Sequence, residues 1–97
     1  MGHETVIRQV TMGGKHGMHM RPAELFVRKA SQFESKIEVI REDVRVDGKS
    51  ILDVLLLAAV PGTVLTLQAT GPDAQAALET LVKLIEVDLA NEEMIDQ

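Results

Sequence analysis

The chain has 97 residues, a formal net charge of −5 and no cysteine. This length fits one domain with a modest core, and the lack of cysteine excludes a disulfide framework and thiol chemistry. An acidic chain with only 2% aromatic residues is a poor candidate for nucleic-acid binding, and its core must be aliphatic. No signal peptide is apparent, and the most apolar run, Val54–Val60, is far shorter than the ~20 residues of a membrane helix. We therefore expect a soluble, cytoplasmic protein without membrane insertion.

The first half of the chain predicts three strands and one helix. Apolar and polar residues alternate over Thr5–Thr11, which predicts a strand, and the glycine-rich residues 12–17 predict a loop. A helix is expected from about Met20 to Phe33, because its apolar residues recur at helical spacing. Alternation over Lys36–Arg41 and Val44–Val46 then predicts two strands joined by a polar turn.

The second half predicts two helices around a fourth strand. Ser50 has the character of an N-cap, with Asp53 three residues later as a capping-box variant, and a short helix follows over Ile51–Ala59. Alternation over Thr63–Thr70 predicts the strand.

The last helix is expected to begin with Pro72 at its first position and Asp73 in its first turn. Its predicted buried stripe consists of Ala74, Ala77, Leu78, Leu81, Leu84 and Ile85. The order β-α-β-β-α-β-α indicates an α+β fold, a four-stranded, mainly antiparallel sheet covered on one face by three helices. We expect one domain over residues 4–89 and an acidic tail over residues 90–97.

Residues 17–23 read Gly-Met-His-Met-Arg-Pro-Ala and carry the strongest functional signal. Pro22 belongs in a first helical turn, so His19 should lie at, or one residue before, a helix N-terminus. Such an end attracts anions, and Arg21 adds a guanidinium that can pair with phosphoryl oxygens. A partly neutral imidazole is a nucleophile that can carry a phosphoryl group. A surface histidine that merely caps the helix is the alternative.

His16 and His19 also form a His-x-x-His pair. Two ligands in a glycine-rich loop are weak evidence for zinc, which takes three or four. We expect neither a metal nor a cofactor.

This stretch resembles the active-site signature of the HPr family, the histidine-containing phosphocarriers of the bacterial phosphoenolpyruvate:sugar phosphotransferase system. Residues 49–52, Lys-Ser-Ile-Leu, resemble that family's regulatory serine segment, and the element order agrees over about residues 4–89. The resemblance implies an open-faced β-sandwich. It further implies that His19 takes a phosphoryl group from Enzyme I and passes it to a IIA component, with Arg21 as phosphate partner. Such a carrier turns over no substrate alone and generally acts as a monomer.

The sequence departs from the family pattern at three places. Met20 stands where the family usually has Ala or Thr, which enlarges the apolar rim beside the site. His16 stands where the family often has a small polar residue, so it is either a phosphate contact or a bystander. The second helix is expected to end at residues 58–62, Ala-Ala-Val-Pro-Gly, where the family often has a glycine before the final strand, and this leaves the length of the helix open.

Ser50 has two interpretations. As an N-cap it stabilises its helix by about 1 kcal/mol. The resemblance also implies that an HPr kinase/phosphorylase could phosphorylate it, although many family members keep this serine in organisms without that kinase.

The second helix is apolar all round and short, so part of it should stay exposed. Ile51, Leu52 and Leu55 are the candidates, and an apolar patch near an active site is a candidate docking surface. Met20 adjoins this surface in our prediction, and Arg28 could add a positive contact to acidic partners. Burial of the apolar residues by the sheet, and a solvated Arg28, are the alternatives.

Two other functions remain open. The first is a regulatory protein of the same fold that signals through Ser50 without sugar transport. The second is a small α+β ligand-binding module, although no residue pattern in the sequence indicates a metabolite pocket.

Overall fold

The computed structural model describes residues 4–12, 18, 20–57 and 62–89. The strands are β1 Glu4–Thr11, β2 Lys36–Arg41, β3 Val44–Asp47 and β4 Val64–Gly71. The helices are α1 Met20–Ala30, α2 Ile51–Leu56 and α3 Ala74–Lys83, which a π-helical segment, Leu84–Asp88, continues. The expected acidic tail, residues 90–97, lies outside the described residues.

The four strands form one antiparallel sheet in the order β1-β4-β2-β3. Alternate residues of the central strand β4, Leu65, Leu67 and Ala69, are fully buried, as are Ile37 and Val39 of β2. This period of two places every second side chain on the face that the helices cover. The predicted fold class, an open-faced β-sandwich, is confirmed.

Among the fully buried core residues that the structure describes, Phe26 is the only aromatic one, as the scarcity of aromatic residues predicts. The predicted stripe of the last helix is buried in full, including the two residues of the π-helical segment, Leu84 and Ile85. Helix α1 contributes Ala23, Phe26, Val27 and Ala30 from one face. Helical spacing therefore predicted the buried faces of both long helices.

The predicted end of α1 at Phe33 is wrong, because the helix ends at Ala30. The amides of Gln32 and Phe33 bond to carbonyls only three residues back, which tightens the chain into a turn. The next two amides, of Glu34 and Ser35, donate to the Asp73 carboxylate instead of continuing the helix. Phe33 is half-buried and still packs against the core.

The predicted start of α3 at Pro72 is also wrong, because the helix begins at Ala74 with Asp73 as its N-cap residue. Asp73 does not cap its own helix with its side chain. Its carboxylate accepts the amides of Glu34 and Ser35, each at 2.9 Å, and the Ser35 hydroxyl at 2.5 Å. We call this network the Ser35–Asp73 clasp. It joins the turn after α1 to the turn before α3.

Hydrogen bonds in the clasp, above all from the Ser35 hydroxyl and then the Glu34 amide, lower the pKa of Asp73 below its ordinary value. Gly71 approaches the clasp closely. A Cβ at Gly71 would lie 2.5 Å from the Ser35 Oγ and 2.7 Å from its Cα. The clasp therefore requires glycine at this position.

Helix α2 ends at Leu56 and Leu57 lies in a turn, so the predicted extent to Ala59 is too long by at least Leu57. Residues 58–61 lie outside the described residues. The Arg41 guanidinium donates to the Leu57 carbonyl oxygen at 2.7 Å. A positive charge therefore meets the C-terminal end of α2, where the helix dipole favours it.

Candidate functional site

Helix α1 begins at Met20, as the proline position predicts, and the preceding residue in the chain is His19. His16, Gly17 and His19 themselves lie outside the described residues. The first turn of α1 contains no acidic residue, so no carboxylate of this turn neutralises its N-terminal amides. An eleven-residue helix with such a start presents a positive dipole end to an anion.

The residues after His19 divide between surface and core. Met20 and Arg21 are exposed, whereas Pro22 and Ala23 are buried. Burial of the proline and alanine fixes the first turn against the core, while the guanidinium-bearing residue stays accessible. Arg21 therefore occupies a position from which an incoming anion can be paired.

Sequence reasoning missed two buried residues, Met12 and Met18, which lie before and within the signature. The Met12 amide donates to the Thr63 carbonyl at 2.8 Å, and its carbonyl accepts the Gly62 amide at 2.9 Å. Both methionines join the hydrophobic core. The chain is thus anchored on both sides of residues 13–17. The sequence signal that indicates this anchoring is the apolar character of Met12 and Met18 beside a glycine-rich stretch.

Ser50 is the N-cap of α2, as predicted, and its hydroxyl accepts the Asp53 amide at 3.2 Å. The capping-box half of that prediction is wrong, because the Asp53 carboxylate accepts the Asp47 amide at 3.2 Å and not the Ser50 amide. The Ser50 amide donates to the Asp47 carbonyl instead. The Asp47 carboxylate in turn accepts the Lys49 amide at 2.9 Å. We call this network the Ser50 turn.

Helix α2 divides into a buried side and an exposed apolar side. Val54 and Leu57 are buried, and Leu55 is half-buried and packs against the core. Ile51 is exposed, and Leu52 and Leu56 are 67% and 71% exposed. Leu56 was missed, although its i+4 spacing from Leu52 places both on one helix face. We call the exposed residues Ile51, Leu52 and Leu56 the α2 apolar stripe.

Helices α1 and α2 pack against each other, so the exposed start of α1 and the α2 apolar stripe belong to one layer of the molecule. Arg28 is exposed in the last turn of α1, beside Lys29. The negative end of the helix dipole, at the C-terminus of α1, stabilises both cations. Arg28 is thereby available at the surface of the same layer.

The described residues contain no group of three or more histidine or acidic side chains that could hold a metal ion. Within residues 20–57 and 62–89, no helix is long and apolar enough to cross a membrane.

Residues 6–87 match the family model PTS-HPr, the PTS HPr component phosphorylation site. The chain belongs to the HPr family. The HPr phosphocarrier of Treponema pallidum is 42% identical over 81 residues, covering 84% of this chain and 92% of its own. Identity of this extent makes the chain a phosphocarrier component of the phosphotransferase system.

Solved structures agree with the HPr assignment. The crystal structure of a Bacillus anthracis HPr superposes with a TM-score of 0.82 at 34% identity, covering 84% of this chain and 98% of that one. The Bacillus subtilis catabolite repression protein Crh, a domain-swapping dimer, superposes with a TM-score of 0.69 at 40% identity. The match covers 74% of this chain and 83% of the Crh chain. The HPr fold is thus shared by a carrier and by a regulatory relative.

Proposed function

We propose that this chain carries a phosphoryl group on His19, which it receives from Enzyme I and gives to a IIA component. The observation that carries the proposal is the start of α1 at Met20, directly after His19 in the chain. The signature motif and the membership of the HPr family support the same role. Residues 4–89 form the functional domain in this proposal.

The proposed step is an in-line exchange at phosphorus. A neutral imidazole nitrogen of His19, expected from the family resemblance to be Nδ1, forms a bond to phosphorus. The bond from phosphorus to the donor breaks, and the donor keeps the electron pair. Arg21 and the first amides of α1 balance the negative charge on the phosphoryl oxygens. The same exchange in reverse order delivers the group to the acceptor, so the protein is a covalent carrier and not an enzyme with its own substrate.

Docking of both partners is proposed at the exposed start of α1 and at α2. Met20, Ile51, Leu52 and the half-buried Leu55 supply apolar contact, and Arg28 supplies a positive charge toward acidic partners. The protein acts in the cytoplasm as a monomer in this proposal. Size-exclusion chromatography with light scattering tests the last point, and a dimeric mass would contradict it.

The carrier proposal is tested by incubation with phosphoenolpyruvate and Enzyme I, followed by ³¹P NMR. We expect one acid-labile phosphoryl group on the protein and none on His19→Ala. His16→Ala is the matched control, because it removes the other histidine of the same stretch and should still accept phosphate. Arg21→Ala should accept it roughly tenfold more slowly, because a charge-assisted contact is lost. Acceptance by His19→Ala would contradict the proposal.

A second candidate function is regulation through phosphorylation of Ser50. The hydroxyl lies at the start of α2, beside the α2 apolar stripe, and the regulatory relative Crh shares this fold. A phosphate there would add a dianion within the Ser50 turn, which already contains the Asp47 and Asp53 carboxylates. Like-charge repulsion would loosen that turn and make the docking surface more negative.

Incubation with ATP and an HPr kinase/phosphorylase tests this candidate. We expect mass spectrometry to show one phosphate, which is absent on Ser50→Ala. The His19→Ala variant should still be modified. Failure of the kinase to modify the wild-type chain would remove regulation at Ser50 and leave the carrier proposal intact.

A further inference from the structure

The methionines near the signature differ sharply in exposure. The chain has five methionines and no cysteine, so thioethers are its only sulfur groups. Met12 and Met18 are 2% and 5% exposed, whereas Met20 is 61% exposed. A soluble oxidant therefore reaches the sulfur of Met20 far more readily than the other two, because susceptibility follows exposure.

Met20 also occupies a position where a chemical change would affect function more than stability. It is the first residue of α1, directly bonded to His19 and followed by Arg21. It does not belong to the hydrophobic core formed by the described residues, which does include Met12 and Met18. Oxidation at Met20 would leave the core packed but change the surface that a partner meets at the phosphoacceptor.

We propose that Met20 is a redox-sensitive modification site, at which a peroxide reversibly weakens phosphoryl transfer by oxidising the thioether to the sulfoxide. This inference rests on the proposed carrier function, because it assigns a form of regulation to the same docking surface. It is independent of Ser50, which lies on a different element.

The chemistry needs only the peroxide as co-reactant. The Met20 sulfur attacks one peroxide oxygen, the O–O bond breaks, and the sulfur–oxygen bond forms. Sulfur is oxidised by two electrons, the peroxide is reduced, and with hydrogen peroxide the second oxygen leaves as water. The product is a polar hydrogen-bond acceptor in place of an apolar side chain. An apolar partner surface that covers Met20 would have to desolvate that oxygen, so association weakens. Methionine sulfoxide reductases return the thioether.

The experiment treats the full-length protein with dilute hydrogen peroxide and maps sulfoxides by peptide mass spectrometry. Phosphoryl transfer from Enzyme I is then measured over a range of carrier concentrations. Met20→Leu keeps an apolar side chain without sulfur, and each protein is compared only with its own untreated sample. Met1 and Met94 are present in both proteins, so their oxidation cannot account for a difference between them.

We expect the Met20 sulfoxide to form before those of Met12 and Met18. The KM for the treated wild-type carrier should rise about tenfold, the effect of losing one well-buried apolar contact. Its thermal midpoint should stay unchanged, and the reductase should restore the KM. The KM measured for peroxide-treated Met20→Leu should equal the KM of its untreated sample.

Three results would overturn the inference. They are preferential oxidation of Met12 or Met18, an unchanged KM after oxidation of Met20 to the sulfoxide, or an equal rise in the KM when Met20→Leu is treated with peroxide. If the untreated wild-type protein accepts no phosphate at all, the carrier proposal itself fails and the inference falls with it. The two failures are therefore distinguishable in one set of samples.

Discussion

Ser35 and Ser50 each share a hydrogen-bond network with an aspartate. The two networks differ in how deeply the serine is buried and in how far apart along the chain the bonded residues lie. The buried Ser35 donates its hydroxyl to Asp73, 38 residues away in the chain. The half-buried Ser50 accepts an amide from Asp53, three residues away. The Ser35–Asp73 clasp joins two turns of the fold, whereas the Ser50 turn stabilises the start of one short helix. Similar polar groups therefore join distant turns of the fold in one place and stabilise one local helix start in the other.

The largest expected effect comes from forcing the Ser35–Asp73 clasp apart. Gly71→Ala would place a Cβ 2.7 Å from the Ser35 Cα, at a φ of +152° that favours glycine. We expect a loss of about 3 kcal/mol in the free energy of unfolding, measured by urea denaturation. Gly62→Ala is the control, since its φ is +86° but, among the described residues other than its chain neighbours, no atom lies within 4 Å of the added Cβ. It should cost about 1 kcal/mol, and an equal loss in both would contradict the argument.

Removing each serine hydroxyl compares the two networks directly. Ser35→Ala removes a buried hydrogen bond to a carboxylate and should cost about 2 kcal/mol. Ser50→Ala removes an N-cap and should cost about 1 kcal/mol. Urea denaturation of both variants under one set of conditions measures the difference. If Ser50→Ala lost more unfolding free energy than Ser35→Ala, burial would not explain the difference in stability between the two networks.

The pH dependence of stability gives a smaller but specific signature of the clasp. Because the pKa of Asp73 is lowered below its ordinary 3.8, the unfolded chain binds that proton more readily than the folded one. The charged carboxylate therefore stabilises the fold at pH values above 3.8, and this contribution is lost as the pH falls through the lowered pKa.

We expect Asp73→Asn to be less stable than the wild type near neutral pH, with a difference that shrinks once the pH falls below about 4. Thermal unfolding between pH 7 and about pH 2.5 measures it. Asp43→Asn, at an exposed residue outside the clasp, provides the control for the replacement of a surface aspartate by asparagine. A difference independent of pH would mean that the Asp73 carboxylate does not act through its charge.

The smallest effect on stability is expected in the α2 apolar stripe. Leu52→Ala should change the free energy of unfolding by no more than about 0.5 kcal/mol, because the side chain is largely exposed. It should raise the KM for Enzyme I about tenfold if the stripe is a docking contact. Ser35→Ala is the opposite control, with lower stability and an unchanged KM. A KM unaffected by Leu52→Ala would remove this residue from the proposed docking surface.

The contrast between local and distant contacts also explains which elements could be predicted. The alternating strands, the start of α1 at Met20 and the Ser50 N-cap all follow from residues close together in the chain, and all three were predicted. The end of α1 and the start of α3 were not. Both are determined by the carboxylate of Asp73, which bonds the amides of Glu34 and Ser35 across the fold.

The amino-acid sequence by itself determined the element order, the buried faces of α1 and α3, and the signature around His19. These depend on periodicity and on residue types at short spacing, which the chain carries wherever it folds. Only the tertiary structure decided that Asp73 closes a distant turn and that Asp53 bonds Asp47. It also decided that Leu56 is exposed while Met12 and Met18 are buried. Burial and long-range hydrogen bonds depend on what the rest of the fold brings to each residue, and no local pattern contains that information.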